Sequence, residues 1–361
     1  MTVYRHGRAQ NIMAAIPAVF LLLTPALSAP QPQSSAIPQA DTCTVDPDGT
    51  AHVTRVVPVP QTISPEAQKF ISRPGPSGPE PTLAERRAAT DEFRIGRSEE
   101  ARKLYPVDIK EEMMGGVRCD VIKPLHPPAA KRDRVLITVH GGGFNSDSGS
   151  LVEGVPIANL AETTVVSVYY RLAPEFPFPA AVDDTEAVYK ELLKSYKPEK
   201  IGLFGTSAGA ILTAEVAVRL RRDGLPLPGV LGIFSGTGDL SRPSDSQALY
   251  TIWGFGGNLQ PPSKTPHLSA YVGSTDPRDP VLNPIHADLK GFPPTLLVTS
   301  TRDLLLSGTS DLHRPLLRAG ADAQLVVFEA LPHAFWYDYH LPETKEALDI
   351  MARFFDKNLG G

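Results

Sequence analysis

Six short apolar runs, rich in β-branched residues, recur along the chain after residue 130. They are RVLITVH (134–140), TTVVSVYY (163–170), KIGLF (200–204), VLGIF (230–234), TLLVTS (295–300) and QLVVFE (324–329). Strands that are apolar at nearly every position are typical of a parallel sheet that helices cover on both faces. An earlier segment, GVRCDVIKP (116–124), alternates polar and apolar residues and predicts a half-exposed strand.

Segments with helical periodicity separate these strands. PAAVDDTEAVYKELLKSY (179–196) and SAGAILTAEVAVRLRR (207–222) each place apolar residues along one side of a helix. Strands that alternate with helices predict an α/β fold, with a mostly parallel, doubly wound sheet, helices on both of its faces and right-handed crossovers.

Two segments interrupt this alternation. A helix is expected to begin at Thr82, because TLAE matches a capping box in which the side chains of Thr82 and Glu85 each accept a hydrogen bond from the other's backbone amide. We interpret residues 81–115 as N-terminal cap helices, with a helix packed across another domain as the alternative, and residues 116–358 as the main α/β domain. An insertion at about 236–275 is interpreted as the second part of the cap, since it leaves the carboxyl end of a strand, where such sheets bind ligands. A surface subdomain with its own small core is the alternative.

The first 28 residues have the pattern of an export signal. Two arginines precede the apolar stretch IMAAIPAVFLLLTPALSA (12–29), which ends in the small residues that a signal peptidase reads. A membrane anchor is the alternative, because the stretch is about long enough to span a bilayer, although two prolines interrupt it. We expect a cleaved signal peptide over 1–28, a proline-rich extension over 29–80, and a periplasmic or secreted protein with no stable membrane span after cleavage.

The charge balance excludes one class of function. The chain has 35 Lys and Arg against 40 Asp and Glu, a net charge of −5, and no run of five like charges. A protein that binds nucleic acid is expected to carry a basic stripe, so nucleic acid is excluded as a partner.

The two cysteines, Cys43 and Cys119, have two open interpretations. In an exported protein they form a disulfide or remain free thiols, since spacing along the chain does not fix the distance between them. Two cysteines and the absence of an H-E-x-x-H motif predict no metal site.

One serine has the sequence context of a nucleophile. GTSAG (205–209) is the one G-x-S-x-G pattern in the chain, and it stands after a buried run and before a helix. This strand–turn–helix context exposes a serine at the edge of an α/β sheet, which makes Ser207 a candidate nucleophile. Its base is expected in His333, and the carboxylate that orients the base in Asp303, since each follows the end of a later strand. Taken singly, such an aspartate is most often a helix cap and such a histidine structural, but the ordered triple favours catalysis.

A glycine-rich turn follows the first buried run. HGGGF (140–144) leaves backbone amides uncovered, and an oxyanion that develops on an attacked carbonyl needs two or three such donors. We assign the oxyanion hole to the amides of Gly141, Gly142 and Ala208. A phosphate-binding loop is the competing interpretation, but the G-K-[ST] ending and the G-x-G-x-x-G spacing are both absent.

These motifs together resemble the hormone-sensitive lipase family of α/β-hydrolases over roughly residues 80–358. The resemblance lies in HGGGF (140–144), YRLAPEFPFPAAVDD (170–184), GTSAGA (205–210), DPVLNPIHADLKGFPPTLLVTSTRD (279–303) and LPHAFW (331–336). Many relatives have an aspartate where Thr206 stands, so the chain resembles the threonine-bearing G-T-S-A-G branch.

The resemblance implies hydrolysis of carboxylic esters without a metal or organic cofactor. We therefore expect an exported carboxylesterase for small to medium esters, including aromatic or xenobiotic esters, with Phe144, Trp253 and Phe255 lining the substrate pocket. An amide or lactone hydrolase of the same fold, and a ligand-binding homologue without catalysis, are the alternatives. Assembly as a homodimer is left open.

Overall fold

The computed structural model describes residues 41–76, 81–257 and 269–359. The chain divides into two compact units, Met1–Pro58 and Val59–Gly361. The expected signal peptide lies outside the described residues, so its cleavage stays a prediction. Within the described ranges, no helix is both long and apolar enough to cross a membrane.

The described part of the first unit is a short hairpin. Strands β1 (Thr42–Val45) and β2 (Ala51–Thr54) pair antiparallel. Cys43 lies on β1 and is exposed, whereas Cys119 belongs to the second unit and is buried, and both are free thiols. Burial raises the pKa of the Cys119 thiol to about 12, so that this thiol is protonated at neutral pH.

The second unit alternates strands and helices. Its described strands are β3 (Val107–Met114), β4 (Val117–Pro124), β5 (Val135–Val139), β6 (Thr164–Val168), β7 (Ile201–Thr206), β8 (Val230–Phe234), β9 (Thr295–Ser300) and β10 (Ala323–Phe328). Its described helices are α1 (Pro65–Ile71), α2 (Leu83–Leu104), α3 (Ser150–Leu160), α4 (Ala180–Leu192), α5 (Ala208–Arg222), α6 (Asp245–Leu249), α7 (Ser269–Val272), α8 (Leu306–Arg318) and α9 (Pro342–Asn358).

The strands form one mostly parallel sheet, as the apolar runs predict. The strand order is β10-β9-β8-β7-β5-β6-β4-β3. Neighbours from β10 to β6 pair parallel, whereas β4 pairs antiparallel with both β6 and β3. The predicted α/β class is confirmed.

Successive residues of the central strands point into two different cores. On β5, Ile137 packs with the apolar faces of α4 and α5, and Leu136 packs with those of α3 and α9. The same alternation holds for Leu203 and Phe204 on β7. Because side chains alternate across a strand, a sheet covered by helices on both faces requires a strand that is apolar at every position.

The start of α2 follows its sequence signal. The Thr82 hydroxyl accepts a hydrogen bond from the Glu85 amide at 3.3 Å, and the Glu85 carboxylate accepts one from the Thr82 amide at 2.8 Å. The predicted capping box is confirmed.

Residues 107–114 form a strand and not part of the expected cap helices. α2 ends at Leu104, and β3 then pairs with β4 over its whole length. The connecting residues Gly115 and Gly116 have φ of 58° and 83°, the positive values that a two-residue hairpin turn requires. The helix prediction is therefore wrong beyond Leu104, because a charged edge strand such as VDIKEEMM lacks the apolar run that identified the other strands.

The second unit begins inside the expected proline-rich extension. Ser64 caps α1 and also donates from its amide and its hydroxyl to the two carboxylate oxygens of Glu343 on α9, at 2.7 and 2.9 Å. The Thr62 hydroxyl donates to Glu329 at 2.6 Å. Residues 59–76 therefore belong to the second unit and pack against its helix α9.

Two glycines give opposite expectations for an added methyl group. A Cβ on Gly209 would lie 1.9 Å from the carbonyl oxygen of Val139, whereas a Cβ on Gly96, inside α2, would meet nothing within 4 Å. We expect Gly209→Ala to lower the free energy of unfolding by about 3 kcal/mol or more. Gly96→Ala, the control, is expected to raise it by about 0.5–1 kcal/mol. Urea denaturation measures both, and a Gly209→Ala variant as stable as the parent would contradict this packing.

Candidate active site

Ser207 stands in a strained turn between β7 and α5. Its φ and ψ are 60° and −121°, a conformation that non-glycine residues adopt only where the surrounding structure imposes it. The Ser207 amide donates to the carbonyl of Phe234 at 2.9 Å, which fixes the turn against the end of β8. This geometry is that of a nucleophile elbow.

The carboxylate of Asp303 is buried and accepts four hydrogen bonds. Oδ1 accepts from His333 Nδ1 and from the Leu305 amide, both at 2.9 Å. Oδ2 accepts from the Thr299 hydroxyl at 3.0 Å and from the Ser235 hydroxyl. Ionised carboxylates are buried only with such compensation, so the carboxylate is held in one orientation.

The environment of Asp303 favours its ionised form. Burial acts to raise its pKa, but attraction to His333 and the hydrogen bonds from His333, Ser235 and the Leu305 amide outweigh burial, and the net pKa is lowered. An ionised carboxylate only accepts hydrogen bonds, so His333 Nδ1 carries the proton that faces it. In the neutral imidazole, Nε2 is then the basic nitrogen.

Strand register brings the carboxyl ends of β7 to β10 to one edge. Thr206 pairs with Phe234, Phe234 pairs with Val298, and Val298 pairs with Val326. The segments that carry Ser207, Asp303 and His333 leave the sheet within two residues of this row. All three candidate catalytic residues therefore lie at the same edge, with Asp303 and His333 in direct contact.

The loop that carries His333 is tied to its neighbours on both sides. Trp336 donates from its indole Nε1 to the hydroxyl of Thr206, the residue before Ser207, at 3.0 Å. On the other side, the Ala330 amide donates to the Thr301 hydroxyl at 2.7 Å. These bonds fix the His333 loop relative to the nucleophile elbow and to the Asp303 loop.

The loop of residues 140–149 between β5 and α3, called the oxyanion loop below, carries two of the assigned oxyanion donors. The Gly142 carbonyl accepts from the Ser146 amide at 3.1 Å, and the Gly141 carbonyl accepts from the Ser148 amide at 3.3 Å. A Cβ added to Gly141 would lie 3.3 Å from the Ser207 Cβ, so this loop lies directly beside the nucleophile. Ala208 is the first residue of α5, and the first amides of a helix have no partner within it.

Phe144 is a packing residue in this structure. It has no exposed surface, and its ring stacks on Tyr271, with centroids 3.5 Å apart and planes 4° apart. The structure therefore does not place Phe144 on the wall of a substrate pocket, where the sequence analysis expected it. The same HGGGF segment carries His140, whose ring stacks on Tyr170 at 4.1 Å, so aromatic packing supports the oxyanion loop from below.

Trp253 and Phe255 lie in the insertion at about 236–275, beside the loops that carry Asp303 and His333. Their exposed fractions are 52% and 45%, and the Arg302 guanidinium lies 5.0 Å from the centre of the Phe255 ring. A Cβ on Gly254 would lie 3.6 Å from both Arg302 and Pro332, which precede Asp303 and His333. Contact of these two aromatic residues with substrate stays a prediction.

Sequence reasoning missed the residues that hold Asp303 in place. Ser235 follows β8 with φ of 51°, and Thr299 lies within β9. A hydroxyl residue at a strand end is common and gives no signal by itself. No three His, Cys, Asp or Glu side chains in the described ranges are grouped so that they could hold a metal ion.

The model of a family described as having the α/β-hydrolase fold matches residues 136–337, more than half of the chain. An acetyl-hydrolase of Streptomyces hygroscopicus is 32% identical over 234 residues, which cover 63% of this chain and 77% of the relative. An esterase of Acinetobacter venetianus is 28% identical over 267 residues, which cover 70% and 84%.

Solved structures agree with these sequence relatives. The crystal structure of an esterase matches with a TM-score of 0.73 and 31% identity, over 85% of this chain and 98% of that chain. An esterase from the bacterial hormone-sensitive lipase family matches with a TM-score of 0.69 and 29% identity, over 82% and 99%. The chain belongs to the hormone-sensitive lipase family of α/β-hydrolases. It is a carboxylic ester hydrolase.

Another buried carboxyl group lies close to the turn that carries Ser207. Glu153 on α3 is 3% exposed, and the Tyr337 hydroxyl donates to its Oε1. Burial raises the pKa of Glu153 to about 7, against the opposing effect of hydrogen bonds to the carboxylate. Tyr337 follows Trp336, whose indole donates to Thr206. The Glu153–Tyr337 pair therefore helps to pack the elbow and the His333 loop together.

The raised pKa of Glu153 predicts a pH dependence of stability. Between pH 4.5 and about 7, the folded state holds a proton that the unfolded state releases, so the parent loses stability as the pH rises through this range. Glu153→Gln lacks this loss and keeps an acceptor for Tyr337. Its free energy of unfolding relative to the parent should improve by up to about 3 kcal/mol between pH 4.5 and 8.

Urea denaturation across this pH range measures the difference, with Glu346→Gln at an exposed position of α9 as the control. A difference between parent and Glu153→Gln that does not change with pH would contradict the assigned protonation.

Proposed function

We propose that this chain is an exported serine carboxylesterase that hydrolyses small to medium carboxylic esters through an acyl-enzyme. The observation that carries the proposal is the hydrogen bond between buried Asp303 and His333, together with the bond that joins the His333 loop to the nucleophile elbow through Trp336 and Thr206. Such a pair has the chemistry of a general base and its orienting carboxylate. The strained turn at Ser207, with a glycine loop beside it, supplies the third component.

Acylation begins with proton transfer from Ser207 to His333. Nε2 of His333 accepts the proton as the serine oxygen attacks the ester carbonyl, and Asp303 stabilises the imidazolium that forms. The amides of Gly141, Gly142 and Ala208 donate to the carbonyl oxygen as it becomes negatively charged. His333 then returns the proton to the leaving alcohol.

Deacylation uses the same groups on water. His333 accepts a proton from a water molecule that attacks the acyl carbonyl, and the tetrahedral oxygen again meets the three amides. Collapse of this intermediate releases the carboxylic acid and returns the proton to Ser207. Every acid, base and oxyanion donor in this mechanism therefore comes from the chain itself.

Short acyl groups are the favoured substrates. Relatives bear the names acetyl-hydrolase and acetyl esterase, and the cap segment around Gly254 lies against the residues that precede the acid and the base. Export rests on the signal-like pattern of residues 1–28.

Hydrolysis of p-nitrophenyl esters from acetate to dodecanoate tests the proposal, with Ser207→Ala beside the parent. We expect activity to peak at short acyl chains and to fall about 10³-fold or more in the variant, because the nucleophile is lost. Ser195→Ala, at an exposed position after α4, is the control and should match the parent.

The intact mass of the exported protein tests cleavage after Ser28.

A parent that is inactive on every ester, or a Ser207→Ala variant that keeps its activity, would contradict the mechanism.

A further inference from the structure

Helix α2 is held to the catalytic domain with little apolar burial. Its buried side chains are Ser98 and Ala101. Phe93, Ile95 and Leu104 are between 38% and 53% exposed. A helix of 22 residues with so small a buried face needs other contacts to stay in place.

Arg87 makes the most extensive of these contacts. Its Nε donates to the carbonyl of Asn145 at 2.6 Å, and Nη2 donates to the carbonyl of Ala173 at 3.0 Å. Nη1 and Nη2 also donate to the two carboxylate oxygens of Glu175, each at 2.7 Å. One planar guanidinium therefore joins α2 to two separate segments of the catalytic domain.

One of these segments lies in the oxyanion loop, and the other is hydrogen-bonded to it. Asn145 is three residues after Gly142, and its amide donates to the Gly142 carbonyl at 3.2 Å. Ala173 donates from its amide to the carbonyl of Phe144 at 2.8 Å. Arg87 thus closes a short hydrogen-bonded path that runs through Asn145 to the glycines assigned to the oxyanion hole.

Two further arginines continue this contact along the same helix. Arg94 lies seven residues after Arg87, and its Nε is 3.7 Å from a carboxylate oxygen of Asp147. Asp147 in turn accepts hydrogen bonds from the backbone amides at the start of α3. Arg97 lies one turn further on, with Nη2 3.4 Å from the carboxylate of Asp338, in the segment after His333. These spacings place the three side chains on one side of α2.

We propose that Arg87 is a positioning residue for ester hydrolysis, which holds the backbone of residues 141–145 where the glycine amides meet the oxyanion. The inference rests on the proposed function. Hydrogen bonds from a cation to backbone carbonyls are strong and directional, and the fixed fork of arginine sets three acceptors at once, which the ammonium of lysine does not do. Oxyanion donors act only within a narrow range of positions.

Arg87→Gln and Arg87→Lys test the assignment on a p-nitrophenyl ester of short chain length. We expect kcat to fall about 10-fold or more in both variants, with KM within about threefold of the parent. The reason is that the glycine amides bond the oxyanion only in the transition state. Binding of a trifluoromethyl ketone, whose adduct places an oxyanion in the hole, should weaken by the same factor as kcat/KM. Arg86→Gln, an exposed neighbour on α2, is the matched control.

A merely structural role would give a different pattern. If Arg87→Gln lowered the thermal midpoint but left kcat and inhibitor binding unchanged in the folded protein, the positioning role would be overturned. An increase in KM at constant kcat would also overturn it, because Arg87 would then act on substrate binding alone.

Amide hydrogen exchange of residues 140–149, measured without substrate, separates this inference from the proposed function. We expect faster exchange in Arg87→Gln than in the parent and in Arg86→Gln. Unchanged exchange overturns the positioning role even if the parent is an active esterase. Faster exchange with a parent that has no esterase activity supports the positioning of the loop and contradicts the proposed function instead.

Discussion

A buried carboxylate is stable only when donors surround it, and the carboxylate of Asp303 collects donors from three consecutive strand ends. Ser235 follows β8, Thr299 and Leu305 come from β9 and the loop after it, and His333 follows β10. Removal of either neutral hydroxyl donor, Ser235 or Thr299, leaves part of a buried charge uncompensated, which costs about 1–3 kcal/mol. These hydrogen bonds therefore hold the segments after β8, β9 and β10 together around Asp303. The His333 ring takes its orientation from the same carboxylate.

The nucleophile side of the site is fixed by close backbone contact. A Cβ at Gly205 or Gly209 would lie 2.2 or 1.9 Å from the carbonyl of Val139, the last residue of β5. The elbow on β7 and α5 thus packs directly on the strand from which the oxyanion loop leaves. Because these contacts join backbone to backbone, the elbow and the end of β5 keep their relative position, whereas residues 141–145 beyond β5 are held by Arg87.

The parallel sheet and the three candidate catalytic residues were predictable because each leaves a local signal. Buried strands are apolar at nearly every position, and the candidate catalytic residues lie in the loops that follow them. β3 was missed because a charged edge strand has no apolar run, although the Gly115–Gly116 pair is a hairpin signal. The burial of Phe144 depends on Tyr271, which is distant in sequence, and the contacts of Arg87 depend on how α2 crosses two loops. Such long-range packing has no local pattern, so the sequence does not reveal it.

In the proposed mechanism, His333, oriented by Asp303, activates Ser207. Reaction with diethyl p-nitrophenyl phosphate, followed by peptide mass spectrometry, tests it most directly, because the phosphorylated serine is stable and can be located. We expect one diethylphosphoryl group per chain, on Ser207, and labelling that is at least about 10²-fold slower in His333→Ala, since the general base is lost. Labelling at another residue, or an equal rate in His333→Ala, would contradict it.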